Sequence, residues 1–119
     1  MPAKIQIKRI YEEPVESDGY RILADRLWPR GVAKADAHID LWAKELAPST
    51  ELRKWFHAET RDYQEFSRRY RSELESNLTE IQGIIKKIEV SKFTLLTAVK
   101  DVEHSHVPIL KKFLVKQLS

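Results

Sequence analysis

Adjacent acidic and basic residues lie in or directly after three short apolar segments of this chain, where they could do chemistry. The pairs are Asp25 with Arg26, Lys44 with Glu45, and Lys100 with Asp101. Carboxyl groups can accept and return protons, and arginine offers a bidentate fork for carboxylate or phosphate. We therefore expect the three carboxylates to act as acid or base. The basic members of the pairs, together with Arg30, would hold an anionic substrate.

The segment His104-Ser105-His106 follows the last of these pairs and brings two imidazoles near Asp101. Because histidine titrates near neutral pH, His106 and Asp101 are the predicted proton carriers. Two histidines with a carboxylate could also ligate a metal, but a third ligand would have to come from elsewhere, so we predict no metal site. A structural alternative stays open: the charges could pair with one another, and a histidine at a helix start could bond the backbone.

The hydrophobic pattern predicts the strands that would carry these residues. Alternation over residues 5–10 indicates an edge strand, residues 20–27 a buried strand, and residues 93–99 a central strand. Residues 39–46 fit a strand or a helix, and we choose a strand because Pro48 closes the segment and a helix start follows at once. If the strands are parallel, their carboxyl ends open on the same edge, where ligands of open α/β sheets bind.

Apolar residues at spacings of three and four predict helices between and after the strands. A short helical turn is expected over residues 33–38, and Ser49 or Thr50 could cap a helix through Phe56. Thr60 could cap the next helical segment. The predicted fold is α/β, a single compact domain whose short, mostly parallel sheet is covered by helices.

Two further helix signals complete this prediction. The helical pattern after Thr60 continues to Ile88, with a possible break at Asn77. The last helix is expected to begin at Val107, with Pro108 in its first turn, where a missing N–H costs nothing.

Composition limits the classes of protein that the chain could represent. Its 119 residues, 42% hydrophobic and 33% charged, predict one domain over residues 1–119. No cysteine is present, so disulfides and thiolate sites are excluded, and three glycines leave none for a phosphate-binding loop. We predict no cofactor. The absence of a signal peptide pattern or a long apolar run predicts no membrane association and a cytoplasmic location.

Three motifs, spread over nearly the whole chain, strongly resemble signatures of the YeaO-like proteins, a bacterial and archaeal family of unknown function. They are DGYRILADRLWPRG over residues 18–31, LWAKELAPSTELR over 41–53, and LLTAVKD over 95–101, continuing through His106 and Leu110. The resemblance implies a compact α/β fold with a charged site and supplies no substrate. Wider relatives of the family end the last motif in a Lys-Asp-Pro-Glu-His-Cys-His type sequence. Val102 and Ser105 stand here in place of that proline and cysteine, so a thiol role is excluded.

Two functional hypotheses follow. In the first, the protein binds, and could transform, a small anionic metabolite or nucleotide in a charged crevice at the carboxyl ends of the strands. In the alternative, it is a non-enzymatic regulatory module whose basic helix surface, with Arg68 and Arg71, contacts nucleic acid or a partner protein. The net charge is only +3, and acids are interleaved with bases, so nucleic acid is the less favoured partner.

Overall fold

The computed structural model describes residues 4–58, 62–88 and 92–118, and over these residues it forms an α/β domain with one parallel sheet. The strands are β1 (Lys4–Arg9), β2 (Tyr20–Leu23), β3 (Leu41–Trp42) and β4 (Lys92–Thr97). Their order is β1-β4-β2-β3, and every neighbouring pair is parallel. The predicted fold class is confirmed, with the segment after residue 92 as a central strand and β1 at an edge.

The helices in the described residues follow the predicted sequence of elements. They are α1 (Lys34–Ala37), α2 (Thr50–Ala58), α3 (Tyr63–Ser76), α4 (Leu78–Lys87) and α5 (His106–Leu118). The hydroxyl oxygen of Ser49 accepts a hydrogen bond from the Leu52 amide at 3.1 Å and so caps the start of α2. Asn77 separates α3 from α4, as predicted.

The start of α3 differs from the expectation in the residue that caps it. Thr60, the predicted cap, lies outside the described residues. The helix begins at Tyr63, and the carboxylate of Asp62 accepts a hydrogen bond from the Glu65 amide at 3.2 Å. A capping carboxylate is as effective as a hydroxyl here, and its negative charge also suits the positive end of the helix dipole.

Side chains on the two faces of the sheet belong to two separate apolar clusters. Ile22 and Leu95 lie opposite each other on β2 and β4 and pack into the larger cluster, with residues of α2 to α5. Leu23 and Leu96, one residue further along, belong to a smaller cluster on the other face, which includes residues of α1 and its flanking loops. Because successive strand residues point to opposite faces, both strands are buried on both sides.

The strand predicted over residues 39–46 is correct only for its centre. Leu41 and Trp42 pair with β2, and the Ala43 amide donates to the Leu23 carbonyl at 2.9 Å. That carbonyl is the last one β2 offers, so no partner remains for a longer strand. Residues Lys44–Leu46 instead form one turn of 3-10 helix, whose Leu46 carbonyl accepts a hydrogen bond from the Tyr70 hydroxyl.

Strand β2 itself ends at Leu23, four residues earlier than predicted. The Ala24 amide still donates to the Leu96 carbonyl at 3.0 Å. The carbonyl of the next residue, Asp25, accepts from the indole N–H of Trp42 at 2.8 Å instead of continuing the ladder. The chain therefore leaves the sheet at Asp25, and residues 25–30 become a loop at its carboxyl edge.

A buried ion cluster joins three of the strands. The carboxylate of Asp18, only 1% exposed, accepts from Lys8 Nζ at 2.9 Å and from the Arg21 guanidinium. Thr94 donates its hydroxyl to the Asp18 carbonyl at 2.7 Å. Burial raises the pKa of Asp18, but hydrogen bonds from Lys8, the Val15 amide and Arg21 outweigh it and lower the pKa below its usual value. The cluster is therefore charged, and it ties the β1, β2 and β4 regions together.

Candidate functional site

A cavity of about 350 Å³ opens at the carboxyl edge of the sheet. Its walls come from the loop after β2, the residues that follow β4, the start of α5 and one side of α2. The residues lining it from these segments are 25–30, 98–99, 105–106, and Arg53, Phe56 and His57. This is the edge where the parallel strands were expected to bring functional residues together.

Asp25 and His106 form a preorganised pair in the wall of this cavity. The carboxylate of Asp25 accepts from the Thr97 hydroxyl at 2.7 Å and from the Ala98 amide at 2.8 Å. His106, 8% exposed, places its Nε2 2.8 Å from the Ala24 carbonyl oxygen and 3.4 Å from Asp25 Oδ1. Since both neighbours are acceptors, Nε2 carries a proton, and the imidazole is locked in one orientation.

The same contacts set the charge state of Asp25. Burial raises the pKa of its carboxyl, but the hydrogen bond to His106 and that from the Ala98 amide outweigh this, and the pKa lies below its usual value. Asp25 is consequently ionised at neutral pH. Its contacts hold His106 and the end of β4 in place.

Two of the predicted anion-binding arginines line the cavity, and they are held differently. Arg26 donates from Nε to the Pro48 carbonyl at 3.0 Å and from Nη2 to the Ala47 carbonyl at 3.4 Å. It therefore fastens the loop after β2 to the segment that precedes α2. The Arg30 side chain is exposed and makes no side-chain hydrogen bond to the described residues.

Arg53 lines the cavity as well and is the one the sequence interpretation missed. Its Nε is buried and has no hydrogen-bond partner in the part of the chain that the structure describes. A buried N–H donor without a partner costs free energy, and folded proteins rarely leave one. Because Nε has almost no accessible surface, a ligand in the cavity could reach only the terminal Nη nitrogens of this guanidinium, which make no hydrogen bond within the described residues.

A sequence signal for this side of α2 existed. Residues three and four positions apart share a helix face, so Arg53, Phe56 and His57 form one stripe. The apolar residues Leu52, Trp55 and Phe56 of this helix pack into the larger cluster, and Arg53 beside them lines the cavity. His57 is exposed and also lines the cavity.

The other predicted site residues do not line this cavity. Lys44 is exposed, with its Nζ 4.1 Å from the centre of the Trp42 ring, and Glu45 beside it is exposed. Asp101 accepts from His104 Nδ1 at 3.0 Å, and both side chains are largely exposed. Lys100 is exposed too. The convergence expected of all three pairs is thus limited to Asp25 with Arg26, because the chain turns into 3-10 helix at the other two positions or just beyond them.

Two other kinds of site have little support in the described residues. No group of three or more histidine, aspartate or glutamate side chains is placed to hold a metal ion, since His104 and His106 bond different partners. No helix described here has the length and hydrophobicity needed to cross a membrane.

The basic surface of α3 is partly neutralised from within its own helix. Arg68 and Arg69 donate to the same Glu65 carboxylate at 2.6 and 2.7 Å. Hydrogen bonds from these two guanidinium groups lower the pKa of Glu65 to about 2. The binding of nucleic acid or a partner protein to this surface stays a prediction.

By its fold and its site, this is a small parallel α/β protein with an arginine-lined cavity at the carboxyl edge of its sheet. Residues 4–119 match the model of the DUF488-N3i family, described as the inactive DUF488-N3 subclade, and the chain belongs to this family.

Its relatives agree with the YeaO-like resemblance of the three motifs. The uncharacterised protein YeaO of Escherichia coli is 44% identical over 110 residues, which cover 92% of this chain and 96% of the relative. The uncharacterised protein Rv3073c of Mycobacterium tuberculosis is 36% identical over 113 residues, 93% of each chain. No solved structure matches this chain.

Proposed function

We propose that this protein binds a small organic anion, carrying a phosphate or a carboxylate, in the cavity at the carboxyl ends of β2 and β4. The observation that carries this proposal is the guanidinium of Arg53, which lines the cavity and makes no hydrogen bond within the described residues. An anionic oxygen in the cavity would accept a charge-assisted hydrogen bond from its terminal nitrogens. Arg30, which also lines the cavity, would add a second guanidinium.

The shape and lining of the cavity fit a small ligand. Its volume of about 350 Å³ lies at the lower end of the range of about 300–1,000 Å³ common for small-molecule sites. The walls are mainly apolar, with Phe56, Trp28 and Pro48 beside the arginines. Such a lining excludes water and strengthens the few charged contacts that give specificity.

Binding without turnover is the form of this function that we favour. The Nε2 of His106 already donates to the Ala24 carbonyl, so this nitrogen cannot accept a proton from a substrate. Asp101, its predicted partner in proton transfer, is outside the cavity lining and bonds His104. The description of the family as an inactive subclade also agrees with binding alone.

The test is a comparison of two variants on the same helix. Arg53→Met keeps the apolar stem and removes the guanidinium, and Lys54→Met removes one charge from an exposed neighbour that does not line the cavity. Isothermal titration with inorganic phosphate, ribose 5-phosphate and succinate measures the affinity, and urea unfolding measures the stability of the free protein. We expect Arg53→Met to weaken the tightest of these ligands by about tenfold or more, because a charge-assisted bond is lost.

The stability measurement separates a binding role from a structural one. Removing an unpaired buried donor should leave the free protein as stable as before, or slightly more stable. Loss of stability equal to the loss of affinity would show that Arg53 supports the fold. Equal affinities in both variants, or no anion binding at all, would refute the proposal.

A further inference from the structure

Two of the four large hydrophobic side chains that are exposed in the described residues line this cavity. Among the described residues, the large hydrophobic side chains left exposed include Tyr11 at 51% and Leu27 at 59%, and both line the cavity. Leu27 lies on the loop after β2 between Arg26 and Trp28, and Tyr11 follows β1. A ligand that extends beyond its anion within this cavity would cover these two exposed apolar groups.

The ring of Tyr11 is held in place although half of it is exposed. Its hydroxyl donates to the Arg30 carbonyl at 3.3 Å, and the Arg9 guanidinium lies over one face, 5.0 Å from the ring centre. Arg9 is itself fixed, because it donates to the Val99 carbonyl at 2.9 Å and to the Ala98 carbonyl at 3.3 Å. A ring that is immobilised before binding loses little conformational entropy when a second ring stacks on it.

From these contacts we propose that the ligand is a nucleoside monophosphate, with its phosphate at Arg53 and Arg30 and its base stacked on the open face of Tyr11. This inference rests on the proposed function and adds the substrate class. A fixed tyrosine favours a planar base over a flexible chain, because stacking needs two flat surfaces. The small cavity volume fits one nucleotide and is too limited for a dinucleotide.

The experiment is isothermal titration of the full chain with five probes: adenosine and uridine 5′-monophosphates, ribose 5-phosphate, butyl phosphate and adenosine. Ribose 5-phosphate has the same anion and sugar without the base, and butyl phosphate offers an aliphatic chain. We expect at least one nucleotide to bind about tenfold more tightly than ribose 5-phosphate or butyl phosphate. A tenfold gain in affinity is what the stacking of one base on an aromatic ring contributes. Adenosine, which lacks the phosphate, should bind more weakly than its monophosphate.

Two variants of Tyr11 assign the preference to the ring. Tyr11→Leu keeps an apolar side chain and removes the ring. In this variant the affinity for the nucleotide should fall to within about threefold of the affinity for ribose 5-phosphate, which should itself stay unchanged. Tyr11→Phe keeps the ring and should still bind the nucleotide more tightly than ribose 5-phosphate. If Tyr11→Leu shows the same preference for the nucleotide, the base lies elsewhere and the inference is overturned.

The outcomes distinguish this inference from the proposed function. If butyl phosphate or ribose 5-phosphate binds as tightly as the nucleotides, the anion site stands and the nucleotide class is wrong. If adenosine binds as tightly as its monophosphate, or none of the phosphates binds, the anion site itself is refuted.

Discussion

Replacing Asp25 with asparagine tests whether the Asp25–His106 pair stabilises the fold. The substitution keeps the size of the side chain and removes its charge. One amide oxygen can still accept from the Ala98 N–H, but the amide NH₂ must then face the Thr97 hydroxyl, which has to turn and accept. His106, 3.4 Å from Asp25 Oδ1, loses its carboxylate neighbour.

The expected magnitude follows from these contacts. Hydrogen bonds to charged groups contribute about 1.5–3 kcal/mol and neutral ones about 0.5–1.5 kcal/mol. Converting the bonds from Thr97 and Ala98 from the charged to the neutral kind, with partial loss of one, should lower the free energy of unfolding by about 1–3 kcal/mol at pH 7. The carboxylate of Asp101, which is 70% exposed, serves as a control, and Asp101→Asn should cost less than about 0.5 kcal/mol.

The stability difference between the wild type and Asp25→Asn should depend on pH, and the lowered pKa of Asp25 sets the direction of this dependence. The pKa of Asp25 is lower in the folded protein than in the unfolded chain, because its hydrogen bonds outweigh the effect of burial. The contribution of the Asp25 carboxylate to the free energy of unfolding is therefore complete when the pH is above the pKa of aspartate in the unfolded chain, about 4. This contribution is lost as the pH falls through the pKa of Asp25 in the folded protein. The difference in stability between the wild type and Asp25→Asn should narrow as the pH falls below that value.

Urea unfolding of both proteins between pH 3 and pH 7 measures this difference directly. If the free energies of unfolding of the two proteins differ by the same amount at every pH, the charge of the carboxylate contributes nothing to stability. The lower stability of Asp25→Asn would then come from altered packing. A cost at pH 7 no larger than that of Asp101→Asn would refute the view that the pair holds the end of β4.

Predictions for three further substitutions concern the stability of the fold that supports the cavity. Gly19 has a φ of +67°, and a Cβ there would lie 2.6 Å from the Lys92 carbonyl oxygen, so Gly19→Ala should destabilise the protein by more than about 1 kcal/mol in urea unfolding. A Cβ added at Gly83 in α4 has no atom within 4 Å, so Gly83→Ala should raise the free energy of unfolding by about 0.5–1 kcal/mol. A loss of stability from both glycine substitutions would contradict this reasoning. Asp18→Asn leaves the buried Arg21 without its charged partner and should lower the free energy of unfolding by about 3–5 kcal/mol. Chemical denaturation at pH 7 measures this change. A decrease below about 1 kcal/mol would show that the buried ion cluster is not needed for stability.

Some features of the site could be predicted from local pattern alone. The apolar run over residues 93–99 and the polar residues after it indicated a central strand, and Asp25, Arg26 and His106 lie at the carboxyl edge of the sheet that this strand reaches. The family resemblance placed its motifs on the same segments. The parallel direction of the strands was predictable because strands that alternate with helices along the chain are joined by crossover connections.

The remaining features depended on contacts between segments that are far apart in the chain. Lys44 and Glu45 were assigned to a strand, and they turn away because β2 has no carbonyl to offer beyond Leu23. Arg53 was not predicted as a site residue, and only the packing of α2 over the carboxyl edge brings it to the cavity. Neither outcome is encoded in the spacing of residues within a short segment.

The amino-acid sequence by itself determined the class of fold, the positions of most helices and strands, and the edge at which charged residues collect. Hydrophobic periodicity is a local property, and it is sufficient for these. The tertiary structure decided which charged side chains share the cavity, since Arg53 and His106 are far apart in the chain and meet through packing. It also decided that Asp25 and His106 bond each other and the backbone, because burial forces polar groups to find whatever partner lies within reach.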